Sequence, residues 1–330
     1  MLEHGGNLRG AIAHFGGERS DWIDLSTGLN PRGYAAPQTA PDAWHRLPEP
    51  DPDLLQAAQD YYRAPRMLAV AGTQAAIQAL PQMRLPRRVV VASPSYAEHA
   101  HHWTRHGHAV REVPFTELHA ALPNCDVMVV CNPNNPTGDT IARDTLLAWG
   151  IELASRGGWL VVDEAFADLT PVSSVAEWSN RPGLIVLRSV GKFFGLAGVR
   201  VGFVGAHEDV LTLLESTLGP WTVSGPAQQV VTQALRDKAW QGATKERLLA
   251  DGARLRQLLA KHSIASRGCA MFQWWPEPEP EAFREHMAQR HIWVRLFPHA
   301  ARGIRLGLPP DEQAWQRLKN ALTEWNLRTR

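Results

Sequence analysis

Ser189-Val190-Gly191-Lys192-Phe193-Phe194-Gly195-Leu196-Ala197-Gly198-Val199-Arg200 is the stretch whose reading decides the fold. An apolar run, Leu184 to Leu187, leads into it, and a second, Val199 to Val204, leads away. Between them stands one lysine among small and aromatic residues, with a hydroxyl three positions before it and an arginine eight after. Lysine is almost never fully buried without a partner. A desolvated lysine has a depressed pKa, and its neutral amine can attack carbonyls. Taken alone, Lys192 would read as a snorkelling surface residue. The rest of the chain argues otherwise.

Outward from this segment, short apolar runs alternate with helical patterns. Strands are predicted over residues 67–70, 89–92, 109–113, 127–131, 159–162, 184–187 and 200–204, and helices over 72–80, 97–106 and 144–155. That alternation argues for an α/β fold, with a mostly parallel sheet covered on both faces. Ligands in such sheets sit beyond the carboxyl ends of the strands. After Pro226 the texture changes. Two long helices (227–240 and 244–262), strands over 271–275, 292–296 and 304–308, and helices over 280–289 and 311–326 suit a smaller α+β domain. Before the sheet, a short helix over 8–15, a proline-rich linker over 44–52 and an amphipathic helix over 54–62 are expected. The expected organisation is an arm over residues 1–35, a large domain over 36–215 and a small domain over 216–330, with the arm packing near the small domain.

Composition narrows the partners. The chain has 330 residues, 44% hydrophobic, which is ample for a large core. A net charge of +1 without long charged runs gives no reason to expect nucleic acid or an anionic membrane as the main partner. Cys125, Cys131 and Cys269 are scattered and odd in number. They show neither zinc spacing nor a disulfide framework, so no metal site is expected and a reducing cytoplasm fits. Met1-Leu2-Glu3-His4 does not open a signal peptide, and no apolar run approaches the ~20 residues that span a bilayer.

Several residues stand where chemistry is plausible. Asp163 ends the run Trp159-Leu160-Val161-Val162, and a carboxylate at the end of a buried strand is costly unless it pairs. Asn132-Pro133-Asn134-Asn135-Pro136-Thr137-Gly138 follows another strand and is first of all a turn. Gly72-Thr73-Gln74 lies at a strand-to-helix turn, where backbone amides can hold a phosphate. Arg295 and Arg305 each sit within an apolar strand pattern.

These motifs together carry a resemblance. S-x-x-K-x-x-G-L-A-G-x-R, V-V-D-E-A-F and N-P-x-N-P-T-G resemble the signatures of fold-type I pyridoxal-phosphate enzymes, the aspartate aminotransferase superfamily. The resemblance covers nearly the whole chain and is strongest over residues 72–205. It implies the fold-type I architecture: a large domain with a mostly parallel seven-stranded sheet, a smaller α+β domain, and a homodimer. It implies that Lys192 forms the Schiff base with pyridoxal 5'-phosphate. Ser189 and Arg200, with the amides of Gly72, Thr73 and Gln74, would cup the cofactor phosphate, a dianion suited to a guanidinium fork and a hydroxyl. Asp163 would keep the pyridine nitrogen protonated, Tyr96 would stack on the ring, and Asn135, before a bond that can be cis, would reach the 3'-oxygen and the substrate. Arg305 resembles the clamp on the substrate α-carboxylate. With Arg295 beside it, a substrate bearing two anionic groups is implied.

Within the superfamily two small-substrate groups fit, the threonine-phosphate decarboxylases of cobalamin biosynthesis and the histidinol-phosphate aminotransferases. His4-Gly5-Gly6-Asn7 and Asp24-Leu25-Ser26-Thr27-Gly28-Leu29-Asn30-Pro31 resemble the opening of the former, whose arm helps to bind substrate phosphate. His4 and Ser26 become substrate candidates on that ground. The chain also departs from its relatives. Phe166 stands where a tyrosine often reaches the 3'-oxygen, Leu47 where a tyrosine often reaches the partner's cofactor phosphate, and Gly191 where a hydroxyl often precedes the lysine. The G-N-G-S-D-E motif of the aminotransferases is replaced by Ala71-Gly72-Thr73-Gln74-Ala75-Ala76. Decarboxylation of L-threonine O-3-phosphate is the favoured expectation, histidinol-phosphate transamination the alternative, and a non-catalytic pyridoxal-phosphate-binding regulator a third.

Overall fold

The computed structural model describes residues 4–299 and 301–328. The chain forms two compact units: a larger one of residues 33–134 and 139–243, and a smaller one of residues up to 32, 135–138 and from 244 onward.

Strand β1 (Ile23–Asp24) belongs to the smaller unit. The larger unit is built on β2 (Leu68–Val70), β3 (Arg88–Ser93), β4 (Ala109–Pro114), β5 (Val127–Cys131), β6 (Trp159–Asp163), β7 (Leu184–Ser189) and β8 (Gly202–Gly205). They form one seven-stranded sheet in the order β2-β8-β7-β6-β5-β3-β4. Strands β4, β3, β5, β6 and β7 run parallel, whereas β8 is antiparallel to both β7 and β2. The sequence explains the arrangement. Every residue of β5 and β7 is buried, as continuous apolar runs covered on both faces should be. The edge strand β4 instead exposes Arg111 and Glu112, which discourages further pairing. Helices Thr73–Ala79, Ala97–Arg105 and Arg143–Ala154 follow β2, β3 and β5. Val91, Val129, Val161, Ile185 and Trp103 fill the core between these layers.

One charged cluster lies inside this unit. Arg188 on β7, buried, donates to Glu164 at 2.7 Å and to Asp168 at 3.2 Å, and its guanidinium lies 4.4 Å from the centre of the Tyr62 ring. Burial works against its charge, but the two carboxylates more than offset this and hold it protonated.

The smaller unit has a four-stranded antiparallel sheet, β12-β13-β10-β9, made from β9 (Arg267–Cys269), β10 (Phe272–Trp275), β12 (Arg295–Phe297) and β13 (Gly303–Gly307). β11 (Ile292–Trp293) pairs parallel with β1. The predicted single strand over 292–296 is thus two, because Val294 separates residues that serve different partners. The N-terminal arm joins this unit through β1 and through the Gly307 amide, which donates to the Leu25 carbonyl at 2.7 Å.

The units part at residue 243 rather than near 215. Helix Gly225–Arg236 packs on helix Pro52–Tyr62, with Arg236 to Asp53 at 3.0 Å, and so stays with the larger unit. The break between the two long helices also moves. Asp237 accepts from the Trp240 amide at 2.9 Å, capping a new helix, Lys238–Lys261. Helix Glu208–Leu218, absent from the sequence reading, carries acids in its first turn and stops at Gly219, where φ is 75°. Among the described residues no helix is long and apolar enough to cross a membrane.

Candidate active site

In the larger unit, β7 ends at Ser189 and the chain turns at once into the lysine segment. The Ser189 hydroxyl accepts from the Gly191 amide at 3.2 Å, which tightens the turn. Phe193 and Phe194, both buried, pack on Trp240 with centroids 5.7 Å away, anchoring the backbone after the lysine. Lys192 is left half-buried, with its Nζ 5.2 Å from the centre of the Phe166 ring. The residue that cannot donate a hydrogen bond thus offers the ammonium an aromatic face.

Asp163 ends β6, one strand over from Lys192's β7, and is buried. One carboxylate oxygen accepts from the Ala165 amide at 3.0 Å, and the other meets His99 Nε2 at 3.0 Å. Cys131, ending β5, completes a buried group whose ligand-capable atoms all lie within 4.8 Å of one another. Burial alone would lower the His99 imidazolium. The hydrogen bonds to Asp163 and Cys131 outweigh it and raise His99 to about 10. His99 therefore stays charged at neutral pH and keeps a positive neighbour against Asp163. The sequence reading missed this pair. The available signal was spacing: His99 lies one helical turn after Tyr96, so both face the same way. It was masked by His101, His102, His106 and His108 in the same stretch.

Gly72 and Arg200 come together by necessity. Gly72 has φ of 72°, and a Cβ there would stand 2.4 Å from Arg200 Nη2. The left-handed φ is what favours a glycine at this position, and its missing side chain leaves room for the guanidinium tip. Arg200, itself left-handed at φ 58°, donates from Nη1 to the Ala197 carbonyl at 3.0 Å. Gly72 also caps helix Thr73–Ala79 without a side chain, so the first amides of that helix open beside the guanidinium. The Gln74 side chain turns elsewhere, toward Glu98 and Tyr96.

The loop after β5 is tied rather than loose. Asn132 exchanges two hydrogen bonds with the Ile141 backbone at 2.9 and 3.2 Å. Asn134 donates to the Pro94 carbonyl at 2.9 Å and accepts from the Ser95 hydroxyl at 2.8 Å. The Asn135–Pro136 bond is cis, as is Asn132–Pro133.

Asn135 itself belongs to the smaller unit, where its carbonyl oxygen accepts from Arg305 Nη1. Arg305 Nη2 donates to the Ser26 carbonyl at 2.8 Å. Arg295 and Arg305 stand directly opposite each other across β12 and β13. Like charges at such positions repel, so an anionic occupant would relieve the pair. Ser26 differs from its expectation in one respect. Its hydroxyl is buried and engaged, accepting from the Gly6 amide at 2.7 Å and donating to Asp24 at 2.6 Å. What it presents to Arg305 is its carbonyl. His4 is exposed near the start of the same arm.

The chain is similar to known proteins along most of its length. The family described as Aminotransferase class I and II matches residues 20–322. A threonine-phosphate decarboxylase of Pseudomonas aeruginosa is 52% identical over 323 residues, covering 98% of this chain and 97% of that protein. One from a Sinorhizobium species is 40% identical over 339 residues, covering 99% of each. Among solved structures, a histidinol-phosphate aminotransferase of Sinorhizobium meliloti, in complex with pyridoxal-5'-phosphate, superposes with a TM-score of 0.82 at 18% identity, over 100% of this chain and 96% of that one. A lysine after the sheet's β7, an aspartate ending β6, a glycine beneath an arginine and a match spanning most of the sequence lead to one assignment: the chain belongs to the class I and II aminotransferase family.

Proposed function

We infer that the protein is a pyridoxal-phosphate-dependent decarboxylase that converts L-threonine O-3-phosphate to (R)-1-amino-2-propanol O-2-phosphate. The near-complete likeness to threonine-phosphate decarboxylases supports the reaction. The observation in the fold that carries the substrate class is the cross-strand pair Arg295 and Arg305, two guanidiniums in register for two anionic groups.

The donor set fits the cofactor. The glycine at 72 leaves a cradle that a Cβ would fill, beside a guanidinium and the first amides of a helix. Arg200, Ser189 and those amides of Thr73 and Gln74 would hold the phosphate, Asp163 the pyridine nitrogen, and Tyr96 one ring face. Bound there, pyridoxal phosphate supplies an electron sink for the bond that breaks at the substrate Cα. Lys192 Nζ would hold the cofactor and would serve as the proton donor to the substrate Cα. Arg305, steadied by Asn135 and Ser26, grips one anionic group, and Arg295 with His4 the other. Their grip would orient the substrate's two anionic groups and so favour loss of the carboxylate over loss of the Cα hydrogen.

We also propose a cytoplasmic homodimer. Cys125, Cys131 and Cys269 are free thiols. Trp44, Leu47 and Trp221 are 68%, 65% and 58% exposed, apolar surface that a second copy of the chain would cover.

The test is CO2 release from L-threonine O-3-phosphate by the cofactor-loaded protein without any keto acid, with loss of release in Lys192→Ala. No release, with glutamate formed once 2-oxoglutarate and histidinol phosphate are added, would move the protein to the aminotransferases.

A further inference from the structure

Behind the candidate ring-stacking residue runs a chain of hydrogen bonds that the reaction itself does not require. The Tyr96 hydroxyl donates to Gln74 Oε1 at 3.3 Å. Gln74 Nε2 donates to Glu98 Oε2 at 2.6 Å, and His102 Nε2 meets that same oxygen at 3.0 Å. Glu98 is buried, only 8% exposed, and so is His102. Burying a carboxylate is expensive unless donors surround it. Burial lowers the His102 pKa more than the neighbouring Glu98 raises it, and its Nε2 lies within hydrogen-bonding distance of that acid.

The topology makes this chain more than a local pair. Gln74 is the second residue of helix Thr73–Ala79, whose first turn opens beside Arg200. Tyr96 caps helix Ala97–Arg105, which carries Glu98, His99 and His102. One carboxylate therefore ties the turn that offers amides to a phosphate to the helix start that offers a ring and, through His99, the partner of Asp163. A Glu98 to His102 link alone would give the acid a hydrogen-bond partner one turn along its own helix. The Gln74 bridge adds nothing to that helix but fixes it against a second one.

We propose that Glu98, acting through Gln74, is a positioning residue that sets the Tyr96 ring and the phosphate-facing turn at Gly72-Thr73-Gln74 in one fixed geometry. The proposal rests on the cofactor reading above. Glu98 touches neither cofactor nor substrate. It acts as a hydrogen-bond acceptor whose place is fixed by His102, and its effect is on how tightly and in what orientation the cofactor sits.

The full-length protein, stripped of cofactor, should be titrated with pyridoxal phosphate while the absorbance and circular dichroism of the band formed with Lys192 are followed. Lys192→Ala is the blank. If the unaltered protein forms no such band, the cofactor reading fails, whatever Glu98 does. Given the band, Gln74→Met severs both bonds at similar side-chain length. It is expected to weaken cofactor binding roughly tenfold, the worth of one charge-assisted hydrogen bond. It should also reduce the dichroism per bound cofactor at temperatures where the apoprotein, its thermal midpoint lowered by the donor lost to Glu98, is still fully folded. Glu98→Gln keeps an acceptor in place and is expected to stay within about threefold of the parent affinity. A Gln74→Met protein with unchanged affinity and dichroism would overturn the proposal. So would a Glu98→Gln protein as impaired as Gln74→Met, since charge and not placement would then matter.

Discussion

His99 and Asp163 are the pair on which single-residue chemistry is sharpest. The His99 imidazolium is raised to about 10 from an ordinary 6.5 by its bonds to Asp163 and Cys131, against the pull of burial. A group whose folded pKa lies above its unfolded value adds stability that is complete below the unfolded pKa and disappears as pH rises through the folded one. The cofactor-free protein is therefore expected to lose urea resistance progressively between about pH 7 and pH 10, and His99→Asn to flatten that decline. A midpoint equally steep in both proteins would remove His99 as the cause. At this scale the sequence was partly legible. Lys192, Asp163, Gly72 and Arg200 stood in motifs whose neighbours are fixed by the turn of the chain. His99 and Cys131 did not, because their partners lie on other strands and helices, and the one local signal, the spacing of His99 from Tyr96, is masked by the histidines around it.

Strand register governs the next scale. β12 and β13 align Arg295 with Arg305, and a slip of one residue would send one guanidinium to the opposite face. Arg305→Gln and Arg295→Gln should each raise KM for L-threonine O-3-phosphate by roughly 10- to 100-fold, as the loss of a charge-assisted bond implies. The visible spectrum of the bound cofactor should stay unchanged. Which arginine meets which anion can be read by comparing L-threonine with an alkyl phosphate as competitors against each variant. A KM unmoved by both changes would detach this strand pair from the substrate. Strands as runs of Val, Ile and Leu were readable, β5 to the residue. The split between β11 and β12 was not, since five consecutive residues of one pattern can serve two sheets when their partners come from distant segments. Ser26 teaches a similar lesson: resemblance made it a substrate candidate, but neither its carbonyl's bond to Arg305 nor its hydroxyl's bonds to Gly6 and Asp24 could be read from the sequence.

For the molecule as a whole, the exposed Trp44, Leu47 and Trp221 call for a cover. Trp221 also holds a left-handed backbone at φ 61°, which a bulky residue adopts only under constraint. Sedimentation of the cofactor-loaded protein is expected to give twice the mass of one chain, and Trp221→Ser to shift the balance toward monomer at low concentration. A monomer at every concentration would end the dimer reading. The fold class was legible from alternation alone, because helices and strands of these lengths leave few ways to bury their apolar faces. The partition into units was not, because it depends on helix packing after the sheet is complete.

That partition has its own consequence. The smaller unit draws on three separate stretches of chain, one of them only the residues from Asn135 to Gly138. Neither unit can be encoded by an uninterrupted piece of gene. A cut anywhere between residues 32 and 243 parts the stretches of the smaller unit from one another, and most such cuts divide the larger unit too, so exchanging one half of the chain for another would break at least one unit. A split-protein reporter cut within that range would carry pieces of the smaller unit on both fragments.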